Sequence, residues 1–229
     1  PQPRQRLAFH LWVDSTETQA RTNLRKELSY LRRDLPEAEQ FLLIESKTLQ
    51  WSPMAPFTAD VIEFENELKV AQTAEPGMKR SLLERAIGLY QGDLLPSCED
   101  EWIIPDRERL QQMRGNALEQ LIELMKDQQD YRTAIIHAQQ RLRIDPLNEG
   151  AYVSLMQLHH LSGDRSSALQ LFHRCMTMLR EELGVDPSAT TRDLYQQILN
   201  EDEPAPANHS PIPLTSAVSP VAAALPPVP

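Results

Sequence analysis

Seven side chains near the N-terminus combine fixed positive charge with short hydrogen-bonding groups: Gln19, Thr22, Arg25, Lys26, Ser29, Tyr30 and Arg33. Arg and Lys neutralise phosphates and pair with guanine edges, while Gln and Thr can reach base edges or thymine methyls. That is the chemistry of a helix laid in a DNA major groove. On a helix advancing about 100° per residue, Ala20, Leu28, Leu31 and Leu35 fall within about 40° of Leu24 and form a narrow core stripe. Thr22, Lys26, Ser29 and Arg33 point close to the opposite direction, Gln19, Arg25 and Tyr30 flank them, and Arg32 sits nearer the boundary. The same pattern describes the solvated face of an ordinary amphipathic helix, so the helix alone leaves both readings open.

Other reactive residues lack the spacing their chemistry needs. His159 and His160 are adjacent, so they diverge by about 100° on a helix and make a poor metal pair. His137 and His173 have no ligand partner four residues on. Cys98 and Cys175 form neither a disulfide framework nor a metal-ligand spacing, and Cys175 reads as core. Glu101 and its acidic neighbours have no nucleophile or oxyanion donor beside them, so a solvated acidic loop is expected. Tyr90, Trp102 and Phe172 read as core. There is no Gly-rich phosphate loop. The expectation is therefore a protein that is not an enzyme, with no metal and no cofactor.

The chain of 229 residues carries a net charge of −10, which argues against a generic nucleic-acid coat. That charge is segregated. Residues 1–57 hold 8 Lys/Arg against 7 Asp/Glu, and the remainder holds 15 against 26. No apolar run is long enough for a membrane span, and the polar start has no signal-peptide core. No membrane partner is expected, and the cysteine usage fits a reducing, cytoplasmic setting. The chain begins without Met and enters a helix almost at once, which reads as a piece of a longer protein.

The elements that must position these residues are mainly α-helical. Apolar spacings of three and four recur throughout, and Gly is scarce. A short helix is expected at 4–13. A turn at Asp14 follows, with Ser15 or Thr16 as cap, and then the cationic helix at 19–35, stopped by Pro36. The run QFLLIESKTLQW (40–51) predicts a hairpin with strands at 41–45 and 48–51, which places Lys47 in its turn. Pro53 and Pro56 mark a linker. Beyond it Asp60 and Glu63 have the spacing of a helix-start capping pair, and helices are expected at 78–90, 106–126, 131–144, 149–161, 165–183 and 188–199. The 106–126 helix should bury a stripe of Leu110, Met113, Ala117, Leu121 and Leu124.

An internal echo aligns DYRTA (130–134) with DRSSA (164–168) at an offset of 34, the period of tetratricopeptide (TPR) repeats. The tail 201–229 has 8 Pro among 29 residues and reads as an extended, disordered linker. The expected organisation is a partial winged helix at 1–56, a TPR-like helical domain at 57–199 and a Pro-rich linker or tail at 200–229.

The stretch ARTNLRKELSYLRRDL (20–35) resembles the recognition helix of the streptomyces-antibiotic-regulatory (SARP) type of bacterial transcription activator, whose DNA-binding part is an OmpR-like winged helix. LAFHLWVD (7–14) looks like the helix before it. DVIEFENEL (60–68), LYQGDLLP (89–96), EWIIPDRERL (101–110), the run 141–172 and LREELGVDPS (179–188) resemble the bacterial transcriptional activator domain that follows. Together the motifs cover most of residues 7–199.

The resemblance implies a sequence-specific activator that binds direct repeats in double-stranded promoter DNA, often as a homodimer, and helps recruit RNA polymerase. A further domain of the same chain follows in large members. Two departures stand out. The family's N-terminal sheet and first helix are missing. The hairpin turn, usually rich in Gly and basic residues, has only Lys47, with Glu45 beside it.

Two functions follow. One is a DNA-binding regulator reading promoter repeats through 19–35, with Gln19, Thr22, Arg25, Lys26, Ser29, Tyr30, Arg33 and Lys47 as contacts. The other is a helical-repeat interaction module whose winged-helix remnant is structural.

Overall fold

The computed structural model describes residues 1–200. All but the first residue of the expected Pro-rich tail, 200–229, lies outside the described residues.

The N-terminal unit opens with β1 (Gln2–Pro3) and α1 (Arg4–Leu11), then α2 (Glu17–Asp34), α3 (Ala38–Phe41), β2 (Leu42–Ile44) and β3 (Thr48–Trp51). Thr16, the second of the two cap candidates, accepts the Gln19 amide at 3.3 Å, satisfying a free donor of the first turn. Glu17 at the start and Arg32 and Arg33 at the end of α2 complement its dipole. The helix ends where Leu35, forced out of the helical region by Pro36, turns extended.

The hairpin forms, with Ile44 paired to Leu49. A third strand was not legible in the sequence: β1 pairs antiparallel with β3, Gln2 against Leu49, giving the order β1-β3-β2. Two residues are too few to show an alternating pattern, and only tertiary pairing makes them a strand. The short helix α3 is likewise a finding of the structure.

Ala8, Ala20, Leu24 and Leu28 form the core of this unit, with Leu7, Leu11, Trp12, Ile44 and Leu49 packed around them. The expected stripe is therefore correct for its first three residues only. Leu31 is 39% exposed, because α1 and the hairpin cover only the first part of α2.

The second unit stacks helices in antiparallel pairs. They are α4 (Asp60–Ala71) with α5 (Pro76–Leu89), α6 (Ile104–Asp127) with α7 (Tyr131–Ile144), and α8 (Glu149–Leu161) with α9 (Arg165–Leu183). The closing helix is α10 (Ala189–Asn200). Helices α7, α8 and α9 coincide with their predicted bounds. At α4 the cap differs from expectation. Ala59 is the cap position, and Asp60, already helical, accepts the Val61 amide at 2.8 Å while Glu63 makes no reciprocal bond. Along α6, Leu110, Ala117 and Leu121 are buried as expected, but so are Leu118, Ile122 and Met125. This helix has neighbours on two sides, so its buried face is wider than one stripe.

The repeat seen in the letters is also a repeat in geometry. Asp130 and Asp164 cap α7 and α9 through the amides of Thr133 and Ser167. The residue before each cap, Gln129 or Gly163, is left-handed, with φ of 59° and 84°. The Asp130 amide donates to the Met125 carbonyl at 2.9 Å and the Asp164 amide to that of His159 at 2.8 Å. Ala134 and Ala168 are fully buried, and their small size lets paired helices approach closely.

Ion pairs and caps pin the joints. The Arg80 guanidinium reaches Asp130 at 2.7 Å, Gln128 at 2.7 Å and Glu84 at 3.0 Å. Glu149 accepts the Ser188 amide at 2.7 Å and the Thr191 hydroxyl, joining α8 to the start of α10. The bond to Arg80, then that to Thr133, holds Asp130 below the usual carboxylate range. The Ser167 bonds do the same for Asp164.

Carboxylates lowered in this way stabilise the fold above their unfolded values and lose that contribution as pH falls through their folded ones. Urea-unfolding stability should therefore be level near neutrality and decline below about pH 4. Asp130→Asn, which keeps a cap but loses the ion pair, should be less stable at neutral pH and decline less. An identical decline in the variant would contradict the assignment. Burial of Cys175 pushes its thiol up to about 11. A thiol reagent at about pH 8 should modify Cys98 alone in the native protein and reach Cys175 only on unfolding; equal native reactivity of both would overturn this packing.

Candidate nucleic-acid interface

Burying Ala20, Leu24 and Leu28 turns the opposite side of α2 outward. Gln19, Thr22, Arg25, Lys26, Ser29, Tyr30 and Arg33 are all exposed, as is Lys47 in the hairpin turn. They are not equally free. The Thr22 hydroxyl donates back to the Thr18 carbonyl at 2.8 Å, and the Gln19 amide donates to Asn23 at 2.8 Å. Arg33 forks onto Asp34, through Nε at 2.7 Å and a terminal nitrogen at 3.1 Å. That pairing raises the Arg33 pKa above its usual value and offsets its charge locally. Tyr30 stands between two cations, with Lys26 Nζ 5.6 Å and the Arg33 guanidinium 5.0 Å from its ring centre. The ring restrains both side chains through cation–π attraction.

The structure brings a second group of cations together on the flank of α2 that faces the hairpin. Two adjoining clefts, of about 490 Å³ and about 390 Å³, lie between the start of α1, α2 and the hairpin turn. Arg4 and Arg25 line both; Arg21 and Lys47 line the larger and Arg32 the smaller. A backbone bond from the Arg4 amide to the Lys47 carbonyl, 2.9 Å, clamps the first helix to the turn. Arg4 also donates to the Glu45 carbonyl at 3.3 Å. Arg21 is paired with Glu17 at 2.5 Å, whereas Arg25, Arg32 and Lys47 make no ion pair among the described residues. Glu45 lines the smaller cleft and accepts the Thr48 hydroxyl at 2.6 Å.

Sequence reasoning found Arg25 and Lys47 but passed over Arg4, Arg21 and Arg32. The spacing of Arg21, Arg25 and Arg32 does place them on one flank of a helix, and that signal was available. Arg4 was not, because its place depends on the clamp to the hairpin.

The remaining reactive residues are occupied structurally. The His159 ring faces Asp164 at 3.1 Å, and the Cys98 thiol faces Asp100 at 3.4 Å. Phe172 stacks on Tyr195 with centroids 4.1 Å apart. Trp102, only partly buried, meets His10 of α1, 6.1 Å between ring centres. Among the described residues no helix is long and apolar enough to cross a membrane.

A small helix–helix–hairpin unit with an exposed cationic helix is followed by stacked helix pairs of TPR-like form, and the whole is mainly α. Residues 59–199 match the family model described as the bacterial transcriptional activator domain. The chain belongs to the bacterial transcriptional activator domain family.

It is 28% identical over 196 residues to the regulatory protein AfsR of Streptomyces coelicolor, covering 84% of this chain and 20% of that protein. To the regulatory protein DnrI of Streptomyces peucetius it is 26% identical over 169 residues, covering 72% of this chain and 62% of the relative. The chain thus spans about a fifth of the length of that AfsR. Among solved structures, Mycobacterium tuberculosis EmbR, in complex with a low-affinity phosphopeptide, superposes with a TM-score of 0.66. It is 22% identical, over 87% of this chain and 55% of that one, a likeness of fold.

Proposed function

We propose that the protein is a transcriptional activator that reads double-stranded promoter DNA through α2. The observation that carries this reading is the unpaired cationic flank of α2 beside the hairpin turn. Arg25, Arg32 and Lys47 are exposed there without counter-ions. In the proposed complex the outward residues Gln19, Thr22, Lys26, Ser29, Tyr30 and Arg33 face the major groove. The flank cations, joined by Arg4 and Arg21, hold the phosphate backbone on the hairpin side of α2, which sets register without reading sequence. The unit at 1–56 serves as the DNA-binding part, and 57–199 as the part that contacts a second copy, RNA polymerase or a further domain of the same chain. Such a regulator works in the cytoplasm, where bacterial promoters are.

The second reading, an interaction module with a structural winged-helix remnant, is favoured by the charge segregation, since the excess of acid lies beyond residue 57. The two separate on one experiment. DNA selected from a random pool by the protein at its full natural length should share a repeated motif, and log affinity should fall linearly with log salt. Arg25→Ala and Arg32→Ala should each weaken binding and reduce the salt slope by about 0.9 per lost phosphate contact. Arg33→Ala should do less, because Asp34 already holds that charge. No selected motif, or an unchanged slope in the Arg25 and Arg32 variants, would favour the interaction module instead.

A further inference from the structure

A cavity of about 410 Å³ lies in the repeat unit between α7, α8 and α9, within the range of small-molecule sites. Leu142, Leu155 and Leu171 give it an apolar wall, and Arg143, Arg174 and Tyr152 line it with polar groups. Tyr152 is 1% exposed, yet its hydroxyl makes no hydrogen bond of good geometry. Buried hydroxyls without partners are rare because water can no longer satisfy them. Arg143 and Arg174 are exposed and make no ion pair among the described residues. His159 also lines the cavity, but its ring is held by Asp164.

The repeat provides an internal control. At the 34-residue offset the counterpart of Tyr152 is Leu118, fully buried, and the counterpart of Arg174 is Gln140. The earlier pair therefore packs the same position without a hydroxyl or an arginine. Packing of the repeat does not require a hydroxyl at 152 or an arginine at 174, which points to an occupant. Two guanidiniums without counter-ions suit a carboxylate, which they can bind with paired hydrogen bonds. The leucine wall suits an apolar body. Burial pushes the Tyr152 phenol above its ordinary value, against the pull of Arg174, so it remains a proton donor near neutral pH.

We propose that this cavity binds a small organic anion, a carboxylate carried on an apolar body about the size of a fused ring pair. Arg143 and Arg174 pair its charge, Tyr152 donates its hydroxyl, and the leucines cover its body. Such an occupant crosses from α7 to α9 and stiffens the second repeat against the first, an effector site separate from the DNA-facing unit.

The test is titration of the 229-residue chain, followed by amide chemical shifts, with three probes. They are 2-naphthoate, its neutral analogue 2-naphthalenemethanol, and inorganic phosphate. 2-Naphthoate should saturate one site, shifting amides around residues 142–143, 152–155 and 171–174. Arg174→Ala should weaken it by about 10-fold or more, and Tyr152→Phe by several-fold. The neutral probe and phosphate should each bind far more weakly. Arg174 is exposed and Tyr152→Phe keeps the ring, so far-ultraviolet dichroism should show both variants folded.

Several results would overturn the proposal. One is naphthoate binding that fails to saturate. Another is naphthoate binding untouched by Arg174→Ala. Equal binding of the neutral probe would reveal an apolar patch alone, and equal binding of phosphate a site of charge alone.

Discussion

Burial of one short stripe on α2 governs what the N-terminal unit can do. Ala20, Leu24 and Leu28 must leave water, and α1 and the hairpin are what cover them. The two alanines at the centre, Ala8 and Ala20, are each 1% exposed; larger side chains there would force the helices apart. Once that stripe is inside, the rotation of α2 about its axis is fixed. Every cation on the helix is then outside, and the flank bearing Arg21, Arg25 and Arg32 is turned toward the hairpin. The backbone bond from Arg4 to Lys47 completes the arrangement by bringing a cation from α1 and one from the turn to the same side. A site made in this way has little freedom to reorient, which is what a groove-reading surface requires.

The repeat unit follows a different logic. The largest cluster of buried residues runs from Ala71 of α4 to Leu179 of α9, with smaller clusters around Phe64 and around Phe172. Stability is then mostly a sum of neighbour contacts, with polar joints at defined points. Arg80 ties the first pair to the turn of the second, and Glu149 ties the third pair to α10. The two copies differ mainly where packing leaves a choice, and the polar cavity around Tyr152 is such a place.

Most of the helical architecture was legible in the letters, for a physical reason. Long helices announce themselves through periodicity, and α7, α8 and α9 fell within their expected bounds. Features produced by tertiary context were not legible. Gln2–Pro3 becomes a strand only because β3 offers it an edge. Leu31 matches the core stripe by angle yet stays exposed, since nothing reaches that far along α2. The candidate site shows the same division. The outward face of α2 could be drawn from angles alone, but the clefts on its flank needed the hairpin in place. The hydrogen bonds that occupy Thr22, Gln19 and Arg33 needed side chains in three dimensions.

In the proposed complex α2 and the hairpin turn, rather than the helical repeats, face DNA. Site-specific photo-cross-linking tests it most directly. A benzophenone side chain is placed in turn at position 29 on α2, at position 47 in the turn, and at position 136 on the exposed surface of α7. The protein at its full natural length is then irradiated on its selected DNA. Cross-links to DNA should form from 29 and 47 and not from 136. Cross-links from 136 with none from 29 or 47 would contradict it.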